Sequence, residues 1–370
     1  MISKNSKYLH ILISTSASTA NLGSGFDSLA IGLDLWNHYH MTINLKDELS
    51  KDIKQYNIEI SKDSYQTPNM FNIEKNYFTR TFSHFVEKFS QYHVCKNKQR
   101  PIDVYQTNYI PHERGLGSSS SACVAGIKAA IIYMKEVYDI DIKNNDKLID
   151  NDDIASFARD QDSCQDNVCA CLAGGLTMVF MNEKSDDKGL HDSSGKLNFF
   201  RYPIDDNDLR FILIIPKFLS KTTELRVPLA KMNYKIEHVV FNLTRAICIP
   251  EIFKNKRYDL LKEAVKDKVH QKPRSSLLYL PKGDTPYKTP ILNDIFKKSY
   301  EYGSYATFVS GAGSSIAIIS NKNRAKDIKN KMSYYLNDIM DLESIRILKP
   351  TNEGIKHTTF YSDINQPECT

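Results

Sequence analysis

The chain has 370 residues, of which 41% are hydrophobic and 25% are charged, and its formal net charge at pH 7 is +5. These values are ordinary for a globular protein, and the length favours two domains that share a cleft over a single core. The basic residues are scattered along the chain, which argues against a nucleic-acid partner and leaves room for a small anionic ligand.

The sequence predicts neither export nor membrane insertion. The apolar stretch around Ile11 is too short and too interrupted for a signal peptide, and no later run approaches the ~20 apolar residues that span a bilayer. A cytosolic protein with no membrane partner is therefore expected. The seven cysteines include no C-x-x-C pair, which argues against a disulfide framework and a structural zinc site and favours free thiols.

Two strands joined by a polar loop are predicted at the start of the chain. Alternation of residue types indicates a strand at His10–Ser14 and a second at about Leu33–Leu45. The loop between them carries Asn21 and Asp27, an amide and a carboxylate that suit a polar ligand, zwitterions included. The alternative is an Asx-turn that only stabilises the loop itself.

A helix is predicted at Asn76–Phe89 and a strand at Pro101–Tyr109, which leads into the sequence PHERGLGSSSSA. This segment, Pro111–Ala122, places two glycines and four serines at the start of a long apolar helix, predicted at Ser118–Tyr138. Glycines let the backbone approach a ligand, and the first amides of a helix favour an anion. The segment predicts a phosphate site, although a flexible turn with a good N-cap residue has the same composition. No lysine follows the second glycine, which argues against a P-loop NTPase.

The composition changes in the second half of the chain. The polar stretch Asp139–Asp153 is predicted to be a solvated loop, since it lacks the glycine and the terminal glutamate of an EF-hand. A helix follows from Ile154, and Arg210–Pro216 indicates a buried strand. Helices dominate after that strand, so the predicted domains are 1–204 and 205–370. Later helices are predicted at Tyr234–Ile247, Arg257–Asp267, Ile291–Glu301 and Asn323–Leu336, and later strands at Tyr305–Ser310, Ile316–Ser320 and Ser344–Leu348.

Three separated segments resemble the motifs of the GHMP small-molecule kinases, in the same order. They are TANLGSGFDSL from Thr19 to Leu29, RGLGSSSSA from Arg114 to Ala122, and SGAGSSIA from Ser310 to Ala317. The first resembles the homoserine kinase branch in particular. The resemblance spans nearly the whole chain and implies an α+β protein with the two-domain GHMP kinase fold. Its N-terminal domain would resemble ribosomal protein S5 domain 2, and its C-terminal domain would be ferredoxin-like, with the active site between them.

The resemblance implies ATP-dependent phosphorylation of the side-chain hydroxyl of L-homoserine, a step of threonine biosynthesis, by in-line transfer with Mg²⁺. Arg226 and Arg274 suit the carboxylate of that substrate, and Asp27 suits its ammonium group. Asn21 and Asn167 can position a hydroxyl. The implied substrate contacts are Asn21, Asp27, Asn167, Thr222, Arg226, Arg274 and Gly311. The implied nucleotide contacts are Asn76, Pro111, Arg114, Gly115, Leu116, Gly117, Ser118, Ser119, Ser120 and Ser121. The residues expected to act directly in transfer are Asn167, Arg226, Ser118 and Ser119.

The acidic magnesium ligand is a point where this chain departs from the resembled family. Ser156 stands where one relative has the ligand glutamate, so the predicted metal ligands are Ser118 or Ser119 with Asp160. No dedicated general base is evident. Asp166 is expected to brace the turn beside Asn167, with a role as base as a minor hypothesis. The third motif has Ser314 where relatives commonly have proline, a change that affects loop stiffness.

Two alternative functions remain open at the level of the sequence. One is another GHMP kinase: the two arginines count against a neutral sugar substrate, and Asp27 counts against mevalonate. The other is a non-catalytic relative that binds ATP and a metabolite in order to engage a protein partner, for which the serine at position 156 is the support. A homodimer is compatible with the resemblance.

Overall fold

The structure, a computed structural model, describes residues 6–46, 56–90, 100–140, 150–162, 164–183, 195–219, 225, 227, 229, 231–278 and 291–365. Over these residues the chain forms a seven-stranded sheet and a four-stranded sheet, with helices packed on both. The strands are β1 (Tyr8–Ala20), β2 (Leu29–Asn44), β3 (Tyr56–Ile60), β4 (Ile102–Asn108), β5 (Leu176–Met181), β6 (Leu197–Tyr202), β7 (Leu209–Pro216), β8 (Ala306–Val309), β9 (Ile316–Asn321), β10 (Leu342–Leu348) and β11 (Lys356–Ser362). The α-helices are α1 (Tyr77–Ser90), α2 (Ser118–Tyr138), α3 (Asn151–Asp162), α4 (Gln165–Ala173), α5 (Ile236–Ala246), α6 (Ile249–Lys254), α7 (Leu261–Ala264), α8 (Gln271–Leu278), α9 (Leu292–Glu301) and α10 (Lys322–Leu336).

The larger sheet runs in the order β11-β1-β2-β4-β3, and β5 and β6 extend it from the start of β2. Its pairs are antiparallel except β3 with β4, which is parallel. Alternation along β1 turns Leu9, Ile11 and Ile13 into a core that also contains residues of α1, α2, α3 and α4. One face of this sheet is therefore covered by helices. Among the described residues, no helix is long and apolar enough to cross a membrane.

The smaller sheet is antiparallel, with the order β10-β7-β9-β8. Strand β7 is buried on both faces, which explains its uninterrupted apolar sequence. Ile212 and Ile214 pack with α9 and α10 in one core. Phe211 and Leu213 pack in another core, which includes Leu116 of the glycine and serine segment. This second core joins the two sheets directly behind that segment.

The last strand crosses back to the first sheet. β11 pairs with β1 from Tyr8 opposite Ser362 to Ser14 opposite Lys356. The sequence analysis did not predict this strand, because most of its side chains are exposed and its residues alternate only weakly. Helices α6 and α8 were also not predicted, and the helix predicted at Arg257–Asp267 contains only a 3₁₀ turn followed by α7. The domain boundary after residue 204 stays a prediction.

A buried histidine pair lies on the face of the larger sheet away from the helices. Nδ1 of His10 is 2.9 Å from Nε2 of His40, and Oγ1 of Thr42 is 3.2 Å from the same His10 nitrogen. Burial, and the neighbouring His10, lower the pKa of His40 to about 4. A histidine in the unfolded chain titrates near pH 6.5. Between these two values the unfolded state binds more protons, so the free energy of unfolding falls as the pH falls.

We therefore expect acidification from pH 6.5 to 4 to lower the free energy of unfolding through His40 by about 2 kcal/mol. His40→Gln should flatten the pH dependence by that amount in urea unfolding measured at several pH values. His84→Gln is the matched control, because His84 is exposed and its Nδ1 lies 3.0 Å from Oε1 of Gln161. If the free energy of unfolding depends on pH equally in the wild-type protein, His40→Gln and His84→Gln, the assignment of this pH dependence to His40 is wrong.

Candidate active site

A cavity of about 270 Å³ lies where the three motifs meet. It is lined by Asn21, Asp27, Tyr77, Pro111, His112, Glu113, Arg114, Gly115, Leu116, Gly117, Ser118, Ser119, Ser120, Cys164, Asp166, Asn167, Arg274, Gly311 and Ala312. Residues far apart in the sequence thus share one site. Thr222 and Arg226 lie outside the described residues, and their predicted contacts stay predictions.

The glycine and serine segment holds a left-handed turn at the start of α2. Gly117 has φ of 72° and precedes the first helical residue, Ser118. A Cβ at Gly117 would lie 2.1 Å from Oγ of Ser18 and 3.3 Å from Oδ1 of Asn167, which are hydrogen-bonded to each other at 2.8 Å. The turn therefore needs glycine both for its backbone angle and for space. It presents the first turn of α2 to the cavity, as an anion site requires.

The four serines of the segment have different environments. Ser118, Ser119 and Ser120 line the cavity. The hydroxyl of Ser121 is fully buried and lies 2.5 Å from Oγ1 of Thr15 on β1. The side chain of Ser121 therefore ties α2 to the sheet and does not line the cavity.

Arg114 is tied to the second sheet. Its Nε donates to the carbonyl of Pro216 at 2.8 Å, and Nη2 donates to the carbonyl of Lys217 at 2.7 Å. Nη2 also forms an ion pair with Glu343 at 3.1 Å. These contacts satisfy three donor directions of the guanidinium, so Arg114 anchors the turn to the C-terminal sheet. The contact with the nucleotide that the sequence predicted for Arg114 would have to form in addition to these hydrogen bonds.

The loop between β1 and β2 is fixed by Asn21. The Nδ2 group donates to the carbonyl of Gly311 at 2.6 Å, and Oδ1 accepts from the amide of Asp27 at 2.9 Å. Asn21 and Asp27 both have left-handed backbone angles, with φ of 72° and 56°. The self-stabilised loop that the sequence left as an alternative therefore exists, and it also places Asp27 at the wall of the cavity. The two interpretations are compatible.

Arg274 on α8 approaches the same loop from the other domain. It is 2% exposed, its Nη1 donates to the carbonyl of Gly311 at 3.1 Å, and its guanidinium lies 5.2 Å from the ring centre of Phe26. Arg274 and Asp27 therefore line one cavity. This pair is complementary to a ligand that carries both an anionic and a cationic group.

Asn167 lies in the first turn of α4, opposite the glycine and serine segment. The carboxylate oxygen Oδ1 of Asp166 accepts from the amide of Asn167 at 2.8 Å. Oδ1 of Asn167 accepts from Ser18. Asp166 therefore braces this turn, and it is 2% exposed at the wall of the cavity.

Comparison with known proteins agrees with this geometry. Residues 76–175 match the GHMP kinases N terminal domain, and residues 253–338 match the GHMP kinases C terminal domain. The chain is 30% identical to "Homoserine kinase" of Aquifex aeolicus (strain VF5) over 94% of this chain and 99% of the relative. The chain belongs to the homoserine kinase family of GHMP kinases. The predictions of family and of an ATP-dependent small-molecule kinase are thus confirmed.

Other relatives and solved structures agree. "Homoserine kinase" of Clostridium novyi (strain NT) is 28% identical over 93% of this chain and 97% of its own length. The crystal structure of homoserine kinase from Cytophaga hutchinsonii ATCC 33406 superposes with a TM-score of 0.69 at 20% identity, covering 94% of this chain and 97% of that chain. A mevalonate kinase structure gives a TM-score of 0.57 at 16% identity, covering 92% of this chain and 99% of that chain. The predicted two-domain α+β fold is therefore confirmed.

A second cavity, of about 250 Å³, adjoins the first in this kinase. Tyr77, His112 and Ser118 line both, and the second also contains Asn76. Asn76 caps α1, since its Oδ1 accepts from the amide of Phe78 at 3.0 Å. Burial lowers the pKa of His112, whose Nδ1 lies 3.2 Å from the hydroxyl of Ser118. A neutral imidazole therefore stands at the junction of the two cavities.

Helix α3, which carries the predicted metal ligand Asp160, does not bring that residue to either cavity. Asp160 pairs with Arg159 at 2.5 Å and lines neither cavity. Ser156 is fully buried, where its hydroxyl donates to the carbonyl of Asp152 at 2.6 Å and accepts from the amide of Leu197 at 2.8 Å. Position 156 thus joins α3 to β6. The structure does not bring Asp160 to the serines, whereas Asp166 lines the same cavity as Ser118 and Ser119.

Several lining residues escaped the sequence analysis. Tyr77, His112 and Glu113 stand beside predicted contacts, and their adjacency to Asn76 and Arg114 was the available signal. Cys164 reaches the cavity only because α3 ends there. Sequence spacing alone does not reveal such a position, because it depends on how two helices pack.

Proposed function

We propose that this kinase transfers the γ-phosphoryl group of ATP to the side-chain hydroxyl of L-homoserine, giving O-phospho-L-homoserine. The observation that carries the proposal is that Asp27, Arg274 and the glycine and serine segment line one cavity. An ammonium site, a carboxylate site and a phosphate site would then surround one acceptor hydroxyl. Relatives named homoserine kinase, similar over nearly their full length, support the same choice.

The charges of the cavity favour an amino acid over the acceptors of other GHMP kinases. A guanidinium can bind a carboxylate with two parallel, charge-assisted hydrogen bonds, and the carboxylate of an amino-acid substrate would supply that group. Mevalonate has a carboxylate but no ammonium group for Asp27, and a neutral sugar has neither. Thr222 and Arg226 are proposed as further substrate contacts, with the residue roles given by the resemblance.

Transfer in this arrangement would depend on positioning and on electrostatic stabilisation. We propose that the second cavity takes the nucleoside near Asn76 and that the amides of the first turn of α2, with Ser118 and Ser119, hold the phosphates. Asn167 would orient the acceptor hydroxyl. Alignment of two bound reactants can lower a barrier by up to ~7–11 kcal/mol. Amides aimed at the developing negative charge add to this.

The donor set at the cavity fits Mg²⁺. This ion takes oxygen ligands, commonly one or two carboxylates together with phosphate oxygens. Ser118 and Ser119 supply hydroxyls, and Asp166 supplies a buried carboxylate at the same wall. When bound, the ion would neutralise charge on the phosphates. Asp160 was the carboxylate predicted from the sequence, and its pairing with Arg159 favours Asp166 instead.

Asp166→Asn should raise the Mg²⁺ concentration needed for half-maximal activity about tenfold, because one anionic ligand is lost while an acceptor for the Asn167 amide remains. Asp160→Ala should leave that concentration unchanged. Magnesium titrations of steady-state rates compare the two variants. A weakened response in Asp160→Ala alone would restore the assignment made from the sequence. Unchanged turnover of Asp166→Asn at saturating Mg²⁺ would also exclude Asp166 as a general base.

The proposed function is tested by ADP release in a coupled assay with ATP, Mg²⁺ and a panel of L-homoserine, mevalonate, galactose and L-threonine. Turnover confined to L-homoserine is expected. Turnover of mevalonate or galactose would assign another GHMP activity. ATP binding without turnover of any acceptor would favour a non-catalytic relative. The cytosolic location and a homodimer stay predictions.

A further inference from the structure

We propose that His270 is a positioning residue for substrate binding, holding Arg274 against the loop of Asn21 and Asp27 as a neutral imidazole with its proton on Nε2. The inference rests on the proposed function, in which Arg274 faces the substrate carboxylate. It assigns a role to a residue that does not line the cavity. His270 is fully buried one residue before α8 begins.

The contacts of the ring fix where its proton lies. Nη1 of Arg274 is 3.0 Å from Nδ1 of His270, and an arginine can only donate. Nδ1 must therefore accept and carries no proton. Nε2 is 2.8 Å from the carbonyl oxygen of Gly23, which can only accept. Nε2 must therefore donate, and only the Nε2-protonated tautomer satisfies both bonds.

Asp267 holds the backbone beneath the ring. Its carboxylate accepts from the amide of His270 at 2.9 Å and from the amide of Gln271 at 2.7 Å, which caps the start of α8. Asn242 donates to the other carboxylate oxygen at 2.6 Å. The ring itself stacks on Phe26, with centres 4.9 Å apart and an interplanar angle of 20°. The imidazole is therefore fixed from both sides.

A continuous set of hydrogen bonds links the two halves of the substrate site through this ring. It runs from Gly23 to His270, from His270 to Arg274, and from Arg274 to the carbonyl of Gly311, which also accepts from Asn21. The same loop presents Asp27. His270 thus sets the position of the guanidinium relative to the carboxylate that would bind the other end of the substrate.

The electrostatics agree with a neutral ring. Burial lowers the pKa of His270, and the positive charge of Arg274 acts in the same direction. The carboxylates of Asp267 and Asp27 oppose this effect. A second ring proton on Nδ1 would point at the Arg274 donor and break that bond, so the neutral form is the one compatible with the geometry.

Two substitutions separate the two bonds of the ring. His270→Asn keeps a hydrogen-bond acceptor for Arg274 near the position of Nδ1, but its shorter side chain loses the hydrogen bond to the carbonyl of Gly23. His270→Gln keeps a donor near Nε2 and loses the acceptor for Arg274. We expect His270→Gln to raise the KM for L-homoserine about tenfold or more and His270→Asn by no more than about threefold, with the KM for ATP within about twofold of wild type in both. Equal effects of the two substitutions, or an equal rise in the KM for ATP, would overturn the positioning role.

Nuclear magnetic resonance tests the tautomer without substrate turnover. Long-range proton–nitrogen correlation in protein labelled at its 10 histidines reads which ring nitrogen carries the proton, with His270→Gln providing the assignment. A proton on Nδ1, or on both nitrogens at pH 7, would overturn the inference. If the wild-type protein gives the Nε2-protonated signal but does not turn over L-homoserine, the proposed function is refuted while the inferred tautomer of His270 stands. The two failures are thus distinguishable.

Discussion

Substitution of Gly117 by alanine is expected to lower kcat/KM by at least about 100-fold while the protein stays folded. An alanine at φ of 72° costs roughly 1–2 kcal/mol in backbone strain. Its methyl group would lie 2.1 Å from Oγ of Ser18, so the turn or β1 must move. Because Ser18 is hydrogen-bonded to Asn167, movement there also shifts the residue proposed to orient the acceptor hydroxyl. A combined cost near 3 kcal/mol in the transition state corresponds to about 100-fold.

Gly303→Ala is the matched control for backbone strain. Gly303 has φ of 90° and lines neither cavity, and the atom nearest to a Cβ there would be Nη1 of the flexible Arg324 side chain, at 3.0 Å. Both variants should lower the melting temperature by a few degrees, and only Gly117→Ala should lose activity. Measurement of steady-state rates with melting temperatures makes the comparison. Activity of Gly117→Ala within threefold of wild type would show that this turn does not hold the phosphates.

Substitution of Arg274 by lysine is expected to raise the KM for L-homoserine about 10- to 100-fold with a small effect on the KM for ATP. A guanidinium can grip a carboxylate with two parallel bonds and still donate to Gly311 and His270, and an ammonium group cannot. Loss of a charge-assisted hydrogen bond costs roughly 1.5–3 kcal/mol, which is about 10- to 100-fold. The charge is kept, so the variant isolates the forked geometry.

A substrate lacking the carboxylate, 3-aminopropan-1-ol, sharpens this test. The wild-type enzyme should use it poorly, and Arg274→Lys should lose nothing further with it, because the partner of Arg274 is gone. Arg346→Lys is the matched control: Arg346 donates to the hydroxyl of Tyr65 at 3.0 Å and to the carbonyl of Tyr109 at 3.3 Å, and it lines neither cavity. An equal loss on both substrates would show that Arg274 stabilises the fold and does not bind the carboxylate.

Local patterns in the sequence were sufficient for the parts of this kinase that depend on neighbouring residues. The helix predicted at Ser118–Tyr138 has those bounds in the structure, because its start signal and its apolar spacing are both local. The uninterrupted apolar run at β7 indicated a buried strand, and the structure shows that this strand is buried on both faces. Three motifs in order indicated the family, and 13 of the predicted ligand contacts line one cavity, namely Asn21, Asp27, Pro111, Arg114, Gly115, Leu116, Gly117, Ser118, Ser119, Ser120, Asn167, Arg274 and Gly311.

Contacts between distant segments required the tertiary structure. Asp160 and Asp166 are equally good magnesium ligands by residue type, and only the packing of α3 and α4 shows which of them reaches the cavity. The bonds of Arg114 to β7 cross 102 positions of sequence, and those of His270 to the first loop cross 247. The side-chain direction that makes such a bond depends on how the elements pack, and residue type and spacing do not encode it locally. The sequence therefore indicated which residues could perform the chemistry, and the packing of the two domains determined which of them meet.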